Sequence, residues 1–207
     1  DQCTDTIVRQ VDDIKRMVDE FSSFARMPKA HLEQADLCES VRQVVFLMRV
    51  GNPDIAIEDL LPDKEVQTHF DRRLLSQALT NLIKNATEGI SGADEAVASP
   101  VIKVQLKVDD NGMINIDIID NGRGFPQENR HMLLEPYVTT RDEGTGLGLP
   151  IVAKILEDHG GGIELRDAPG GSGAWVRLYF PLNNAGSASQ AEGASREIIG
   201  QREKSGN

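Results

Sequence analysis

The stretch "INIDIIDNGRGFP", residues 114–126, alternates apolar and polar side chains from Ile114 to Ile118 and then breaks, after Asp120, into a glycine pair and a proline. The same Asp-Asn-Gly has already occurred in "KVDDNGMINI", where two alternating runs flank it. The first copy, Asp110-Asn111-Gly112, reads as a hairpin turn, because these residues tolerate positive φ. The second copy is followed by a long segment with no strand pattern, so a different task is expected of it. Gly122 and Gly124 remove side chains where a flat ligand could lie against backbone. Asp120, at the mouth of the strand, offers a carboxylate acceptor. An adenine presents its exocyclic amine there as a donor, whereas guanine presents a carbonyl.

Working outward, "GTGLGL" at residues 144–149 runs three alternate glycines into a helix start. Backbone N–H groups and the helix dipole can hold phosphate without a basic side chain. The spacing is GxGxG. A dinucleotide fingerprint needs GxGxxG, and a P-loop needs GxxxxGK[ST], which is absent. A third piece lies upstream in "LTNLIKNATEGI". On a helix capped by Asp71, Leu75, Ala78, Leu79, Leu82, Ile83 and Ala86 form the core face. Asn81 and Asn85 share its edge one turn apart. Asparagine is a poor helix-interior residue, and its amide oxygen suits a Mg²⁺ ion whose other ligands are phosphate and water. Lys84 offers a phosphate contact or a solvated cation.

Composition sets the frame. The 207 residues suffice for one domain with extensions, and 39% hydrophobic with 27% charged residues is globular. A net charge of -11 argues against nucleic acid as a partner, since phosphate neutralisation needs a basic face. Two cysteines, Cys3 and Cys38, carry no disulfide framework or zinc spacing, which fits a reducing compartment. No apolar run reaches transmembrane length and no signal sequence opens the chain. It begins on Asp rather than Met, as a piece of a longer protein would.

Residues 1–27 place Ile7, Val11, Ile14, Val18, Phe21 and Ala25 at spacings of four and three, the seam of a helical hairpin or bundle. Pro28 ends that helix, and residues 28–35 read as a linker. Asp36 with Glu39 forms a capping box for a helix over "DLCESVRQVVFLMRV". "IAIEDLL" and "KEVQTHF" read as a hairpin around Pro62-Asp63, Asp71 caps a helix to Ile90, and "SGADEAVASP" is a loop. Between Gly124 and Gly144 the pattern predicts a mobile loop with at most one helical turn. A helix over "GLGLPIVAKILEDHG" follows, then strands "GIELRDA" and "AWVRLYFPL" around a Gly-rich turn. Residues 183–207, rich in Gly, Ala, Ser, Glu and Gln, are expected to be disordered.

Asn81–Asn85, "DNGRG", "EPYVTT" and "GTGLGL" resemble, in that order, the N, G1, F and G2 boxes of the ATP-binding domains of sensor histidine kinases. The resemblance covers about residues 36–182, and residues 1–27 are similar to the second helix of that family's dimerisation and phosphotransfer hairpin. The wording "QVDDIKRMVDEFSSFARMP" resembles nitrogen-regulation sensor kinases of the NtrY type. The resemblance implies an α+β fold, a two-layer α/β sandwich of the Bergerat type with helices on one face of a mixed sheet. It implies ATP or ADP with Mg²⁺ as ligands. Asp120 would accept from the adenine amine in a pocket shaped by Gly122 and Gly124, and Asn85 would be the main metal ligand with Asn81 supporting. Tyr137, Thr139, Thr140 and Arg141 would belong to the lid. Gly144, Thr145, Gly146, Leu147, Gly148 and Leu149 would hold phosphates at the helix start, with Lys84 nearby.

Two departures stand out. Tyr137 occupies the F-box phenylalanine position, and Ala174 stands where many relatives carry a threonine beside adenine, so that contact is lost or made by water. Ser172 is assigned to turn chemistry. None of the histidines, His31, His69, His131 and His159, has the acidic-polar-proline context of the family's phosphoacceptor. ATP binding without self-phosphorylation is therefore expected, with the acceptor helix and a response-regulator receiver domain as partners. The seam over residues 7–25 predicts a homodimer. The family implies a cytoplasmic portion of an inner-membrane sensor. In hydrolases of the same fold, a glutamate one turn before the metal asparagine serves as general base. Asn81 holds that place here and cannot accept a proton, which disfavours hydrolysis. A non-catalytic module that senses nucleotide or dimerises is the remaining alternative.

Overall fold

The computed structural model describes residues 28–93, 95–139 and 145–182, together with Val8, Val11, Ile14, Lys15, Val18 and Ser22. Those six positions are helical, as the heptad spacing predicts. Val11, Ile14 and Val18 of the seam, and Val8 beside it, are each more than half exposed. The expected disorder of residues 183–207 lies outside the described residues.

The order of elements is β1 (Glu33–Asp36), α1 (Leu37–Gly51), β2 (Ala56–Leu60), β3 (Gln67–Phe70), α2 (Arg72–Ser91), β4 (Val101–Val108), β5 (Met113–Asp120), a 3₁₀ turn (Arg130–Leu134), α3 (Gly148–Asp158), β6 (Gly162–Asp167) and β7 (Ala174–Pro181). The main sheet runs β2-β4-β5-β7-β6. Its β2–β4 pair is parallel and the others are antiparallel. Strand period two gives this sheet one apolar face. Ile57, Ile102, Val104, Leu106, Ile114, Ile116, Ile118, Val176, Leu178 and Phe180 are all buried in the core. α2 packs Leu74, Leu75, Ala78, Leu79, Leu82 and Ile83 into that core, and α3 adds Ile151, Val152, Ile155 and Leu156. Each large side chain so buried contributes about 1.5–3 kcal/mol relative to exposure. Layering helices on one face of a mixed sheet gives the two-layer sandwich the sequence implied.

The opposite sheet face carries one buried charge. Asp117 accepts from Arg177 through Nε at 2.7 Å and Nη2 at 2.9 Å, and from Trp175 Nε1 at 2.8 Å. The bidentate bond to Asp117 raises the Arg177 guanidinium above its usual range, against the effect of its burial.

Three sequence expectations are overturned. β2 and β3 do not form a hairpin: β2 pairs with β4, and β3 pairs antiparallel with β1 in a separate small sheet. The reason is visible at Asp36, whose Oδ1 accepts from Cys38 N at 3.0 Å, capping α1, and also from Val66 N at 3.2 Å. Leu37 N in turn donates to Val66 O, so the chain before β3 is drawn to the start of α1 and away from β2. Residues 33–35, read as linker, therefore form strand β1 together with Asp36. Nor does Glu39 complete a capping box; its carboxylate meets Gln43 Nε2 and Arg72 Nη2.

Candidate functional site

The second Asp-Asn-Gly is a clasp. Asp120, 7% exposed at the end of β5, accepts through Oδ1 from Gly122 N at 2.8 Å and from Ala174 N at 3.2 Å. Asn121 holds the start of β4: its Oδ1 accepts from Val101 N and its Nδ2 donates to Ser99 O. The carboxylate is thus fixed by two backbone amides, one two residues on and one 54 residues away.

Gly122 is required for a reason the sequence did not show. A Cβ there would lie 2.6 Å from the Gly89 carbonyl group of α2, and Arg123 N donates to Gly89 O at 3.1 Å. The glycine admits helix backbone. At Gly124, φ is +75° and a Cβ would sit 3.0 Å from Gly173 O. Gly173, at φ +102°, has its Cα side so close to Asp120 that a Cβ would be 1.9 Å from the Asp120 carbonyl oxygen. Ser172 Oγ donates to Gly122 O at 3.3 Å. The turn Gly170–Gly173 therefore closes over Asp120. Sequence reasoning missed this turn's contribution, although its three glycines before an alternating strand were a signal. Ala174 acts here through its amide.

The other pole of the site is the start of α3. Leu147, fully buried, is its N-cap and makes no side-chain capping bond; Thr145 Oγ1 accepts from Leu147 N at 3.4 Å. Gly148 opens the helix beside α2, where a Cβ would stand 3.6 Å from Asn85 Nδ2. Asn85 is half-buried, and so is Asn81 one turn earlier. Gly89 and Asn85 are themselves one turn apart, about 6 Å along the axis. The clasp at Asp120 and the helix start at Gly148 thus dock on successive turns of α2.

Tyr137 and Gly146 pin the F and G2 segments together. Tyr137 N donates to Gly146 O at 3.1 Å, and both residues are left-handed, at φ 68° each. Tyr137 is 58% exposed. Leu149 and Thr139 are described, whereas Thr140, Arg141 and Gly144 lie outside the described residues. The expected single helical turn is the 3₁₀ element at Arg130–Leu134. Lys84 points along α2 to Glu88 at 3.9 Å, with its side chain more than half exposed. Among the histidines, His31 and His131 are exposed and His159 is buried between α2 and α3. Cys38 is buried, and that burial pushes its thiol up, with Sγ 3.8 Å from Lys64 O.

A helix start facing an asparagine, an acidic clasp at a strand mouth and a glycine turn over it, all on one sandwich, define a nucleotide-binding ATPase or kinase domain. Residues 70–184 match the family described as histidine kinase-, DNA gyrase B-, and HSP90-like ATPase, and the chain belongs to it. Within that family it is the ATP-binding catalytic domain of the sensor histidine kinases, of the NtrY type. Nitrogen regulation protein NtrY of Azorhizobium caulinodans is 59% identical over 181 residues, covering 86% of this chain and 23% of the relative. A putative NtrY-like sensor histidine kinase of Rickettsia bellii is 35% identical over 85% of this chain and 28% of its own length. The chain thus spans about a quarter of these curated relatives. Among solved structures, full-length ShkA in complex with AMPPNP superposes with a TM-score of 0.72 at 25% identity, over 89% of this chain and 39% of that one. The catalytic domain of histidine kinase ThkA gives 0.64 at 26% identity, over 73% and 96%. Among the described residues no helix is long and apolar enough to cross a membrane.

Proposed function

We propose that the domain binds ATP with its adenine at Asp120 and its phosphates at the start of α3, and presents the γ-phosphoryl to a histidine on a separate phosphoacceptor helix, for relay to a response-regulator aspartate. The observation that carries this reading is the seating of Gly148 against Asn85 one helical turn from the Gly122–Gly89 contact. That spacing sets an acceptor for a base and a phosphate-holding helix start on one side of α2.

Asp120 recognises the base as an acceptor held rigid by the amides of Gly122 and Ala174. Gly146 and Gly148 keep side chains away from the phosphate end, and the amides that open α3 donate there. Thr139 and Tyr137, with Thr140 and Arg141 of the same segment, form the covering lid. Asn85, a neutral oxygen donor beside the helix start, fits a hard divalent ion, with Asn81 in support. Among the described residues no cluster of three acidic, histidine or cysteine side chains competes for one. Bound there, Mg²⁺ would neutralise charge on the transferred phosphoryl group. Lys84 is assigned no contact.

In this reading residues 1–27 are the second helix of the dimerisation hairpin, 28–35 are a linker that takes in all of β1 but Asp36, 36–182 are the catalytic domain and 183–207 a tail. The seam over residues 7–25 makes a homodimer, and the domain is the cytoplasmic portion of an inner-membrane sensor. His159 is too buried to be an acceptor, and the exposed His31 pairs with Glu33 at 3.0 Å, outside the site.

Two measurements test the proposal. Calorimetry with ATP and ADP should show binding strengthened by Mg²⁺ and lost in Asp120→Asn. That variant keeps an Oδ1 for the two amides and replaces the other oxygen by an NH₂ donor, so it removes recognition while leaving the clasp. Phosphoryl transfer in trans should label a supplied phosphoacceptor hairpin on its histidine. Binding without transfer would assign the domain to nucleotide sensing instead.

A further inference from the structure

We propose that Arg130 is a positioning residue for the base-binding end of the site, closing a ring of contacts around Asp120 that slows escape of a bound nucleotide. This inference rests on the nucleotide reading above.

The ring begins at Asp120, whose Oδ1 holds the amides of Gly122 and Ala174. Two segments leave this point. One runs through Gly122 and Gly124 to Phe125. The other runs back through Gly173 to Ala168 and Asp167, the last residue of β6, with Ala168 N bonded to Gly173 O at 3.1 Å. Near Asp120 they are joined by Ser172 Oγ on Gly122 O and by the close approach of Gly124 to Gly173. Farther out, Arg130 touches both. Its Nη2 donates to Asp167 Oδ1 at 2.5 Å, and its Cζ lies 5.6 Å from the centroid of the Phe125 ring.

Local backbone sets this reach. Asn129, left-handed at φ 54°, turns the chain into the 3₁₀ element so that Arg130 starts it. Asparagine is among the side chains that tolerate that conformation. The backbone bonds of the stretch run within it, Met132 N to Asn129 O and Glu135 N to Met132 O, so they do not tie it to the sheet. Segments of this kind open readily. Arg130 also carries a buried Nε with no hydrogen-bond partner among the described residues. Buried donors are nearly always paired. The guanidinium combines a planar reach over Phe125 with its charge at Asp167, a combination lysine cannot supply.

The test is the dissociation rate of a fluorescent ADP analogue from the full chain, measured by stopped flow alongside melting temperature. Arg130→Gln and Asp167→Asn should each speed dissociation about three- to tenfold, with association rate and melting temperature little changed. The double variant should be no faster than Arg130→Gln. Arg130→Lys should recover the charge-dependent part and leave the stacking part lost. An unchanged dissociation rate in well-folded Arg130→Gln would overturn the proposal. Should that variant fail to fold, Asp167→Asn, which alters a half-exposed side chain, carries the same decision. Absence of binding by the unsubstituted chain would instead overturn the nucleotide reading, and with it this one.

Discussion

The backbone N–H of Asp71 donates to Nε2 of His159 at 3.0 Å, joining the start of α2 to the end of α3 across 88 residues of sequence. His159 Nδ1 meets Ile155 O at 2.7 Å, so the ring carries its proton on Nδ1, and its edge packs on Phe180 with centroids 5.9 Å apart. At the opposite ends of the same helices Gly148 faces Asn85. The antiparallel pair that carries the site is therefore fastened at both ends. His159→Ala should lower unfolding free energy by about 2–4 kcal/mol, since it orphans two buried backbone groups and leaves a cavity. His159→Gln, which can still accept from Asp71, should lose less. Urea denaturation reads both.

Asp71 predicts an acid limb of stability. Burial alone would raise its carboxyl. The N–H groups of His31 and Leu74, with the Arg73 charge, outweigh burial and hold it below its ordinary 3.8. A depressed folded value contributes stability that is fully present above the unfolded value and is lost as pH falls through the folded one. Asp71→Asn should therefore be less stable than the unsubstituted chain at neutral pH. Its stability curve should converge on that of the unsubstituted chain below about pH 3.8. Parallel curves through that range would show that the charge is not the cause.

The glycines separate by what a Cβ would meet. Gly173→Ala would place a Cβ 1.9 Å from Asp120 O and should abolish nucleotide binding with a large loss of stability. Gly112 has a similar left-handed φ of +74° and open space around it. Gly112→Ala should cost only the backbone strain, about 1–2 kcal/mol, and leave binding intact. Calorimetry beside thermal denaturation distinguishes the two.

Asn85 and Lys84 are neighbours on α2 with opposite expectations. Asn85→Ala should reduce the strengthening of ATP binding by Mg²⁺ while leaving metal-free ADP binding nearly unchanged. Lys84→Ala removes only a surface pair with Glu88 and should change stability by less than about 0.5 kcal/mol. A large loss of affinity on Lys84→Ala would restore it to the phosphate site.

Asp117 tests the sheet's other face. It is 2% exposed and receives three hydrogen bonds from Trp175 and Arg177. Asp117→Ala should cost about 2–4 kcal/mol by orphaning those donors. Nucleotide affinity at 25 °C should stay close to normal, because alternate residues of β5 face away from the helices and Asp120. Denaturation and calorimetry on one sample check this.

Much of the architecture can be read in the residues themselves. The β4–β5 hairpin needs only alternation on either side of Asp110-Asn111-Gly112, and α2 needs only its leucine spacing and the Asp71 cap, because both are written in local periodicity. The motifs also mark segments that meet in the fold, Gly148 beside Asn85 and Tyr137 beside Gly146. Partner choice is another matter. An alternating run such as "IAIEDLL" states which face is buried and says nothing of which strand lies beside it. Asp36 took Val66 N, and so β2 went to β4 while β3 went to β1. The same holds for Gly122, whose missing side chain reads as room for a ligand until Gly89 is found against it, and for the turn at Gly173, which meets Asp120 only once β7 has paired with β5. Contacts between segments 30 or more residues apart depend on how strands order themselves in the sheet, and local pattern carries no record of that order.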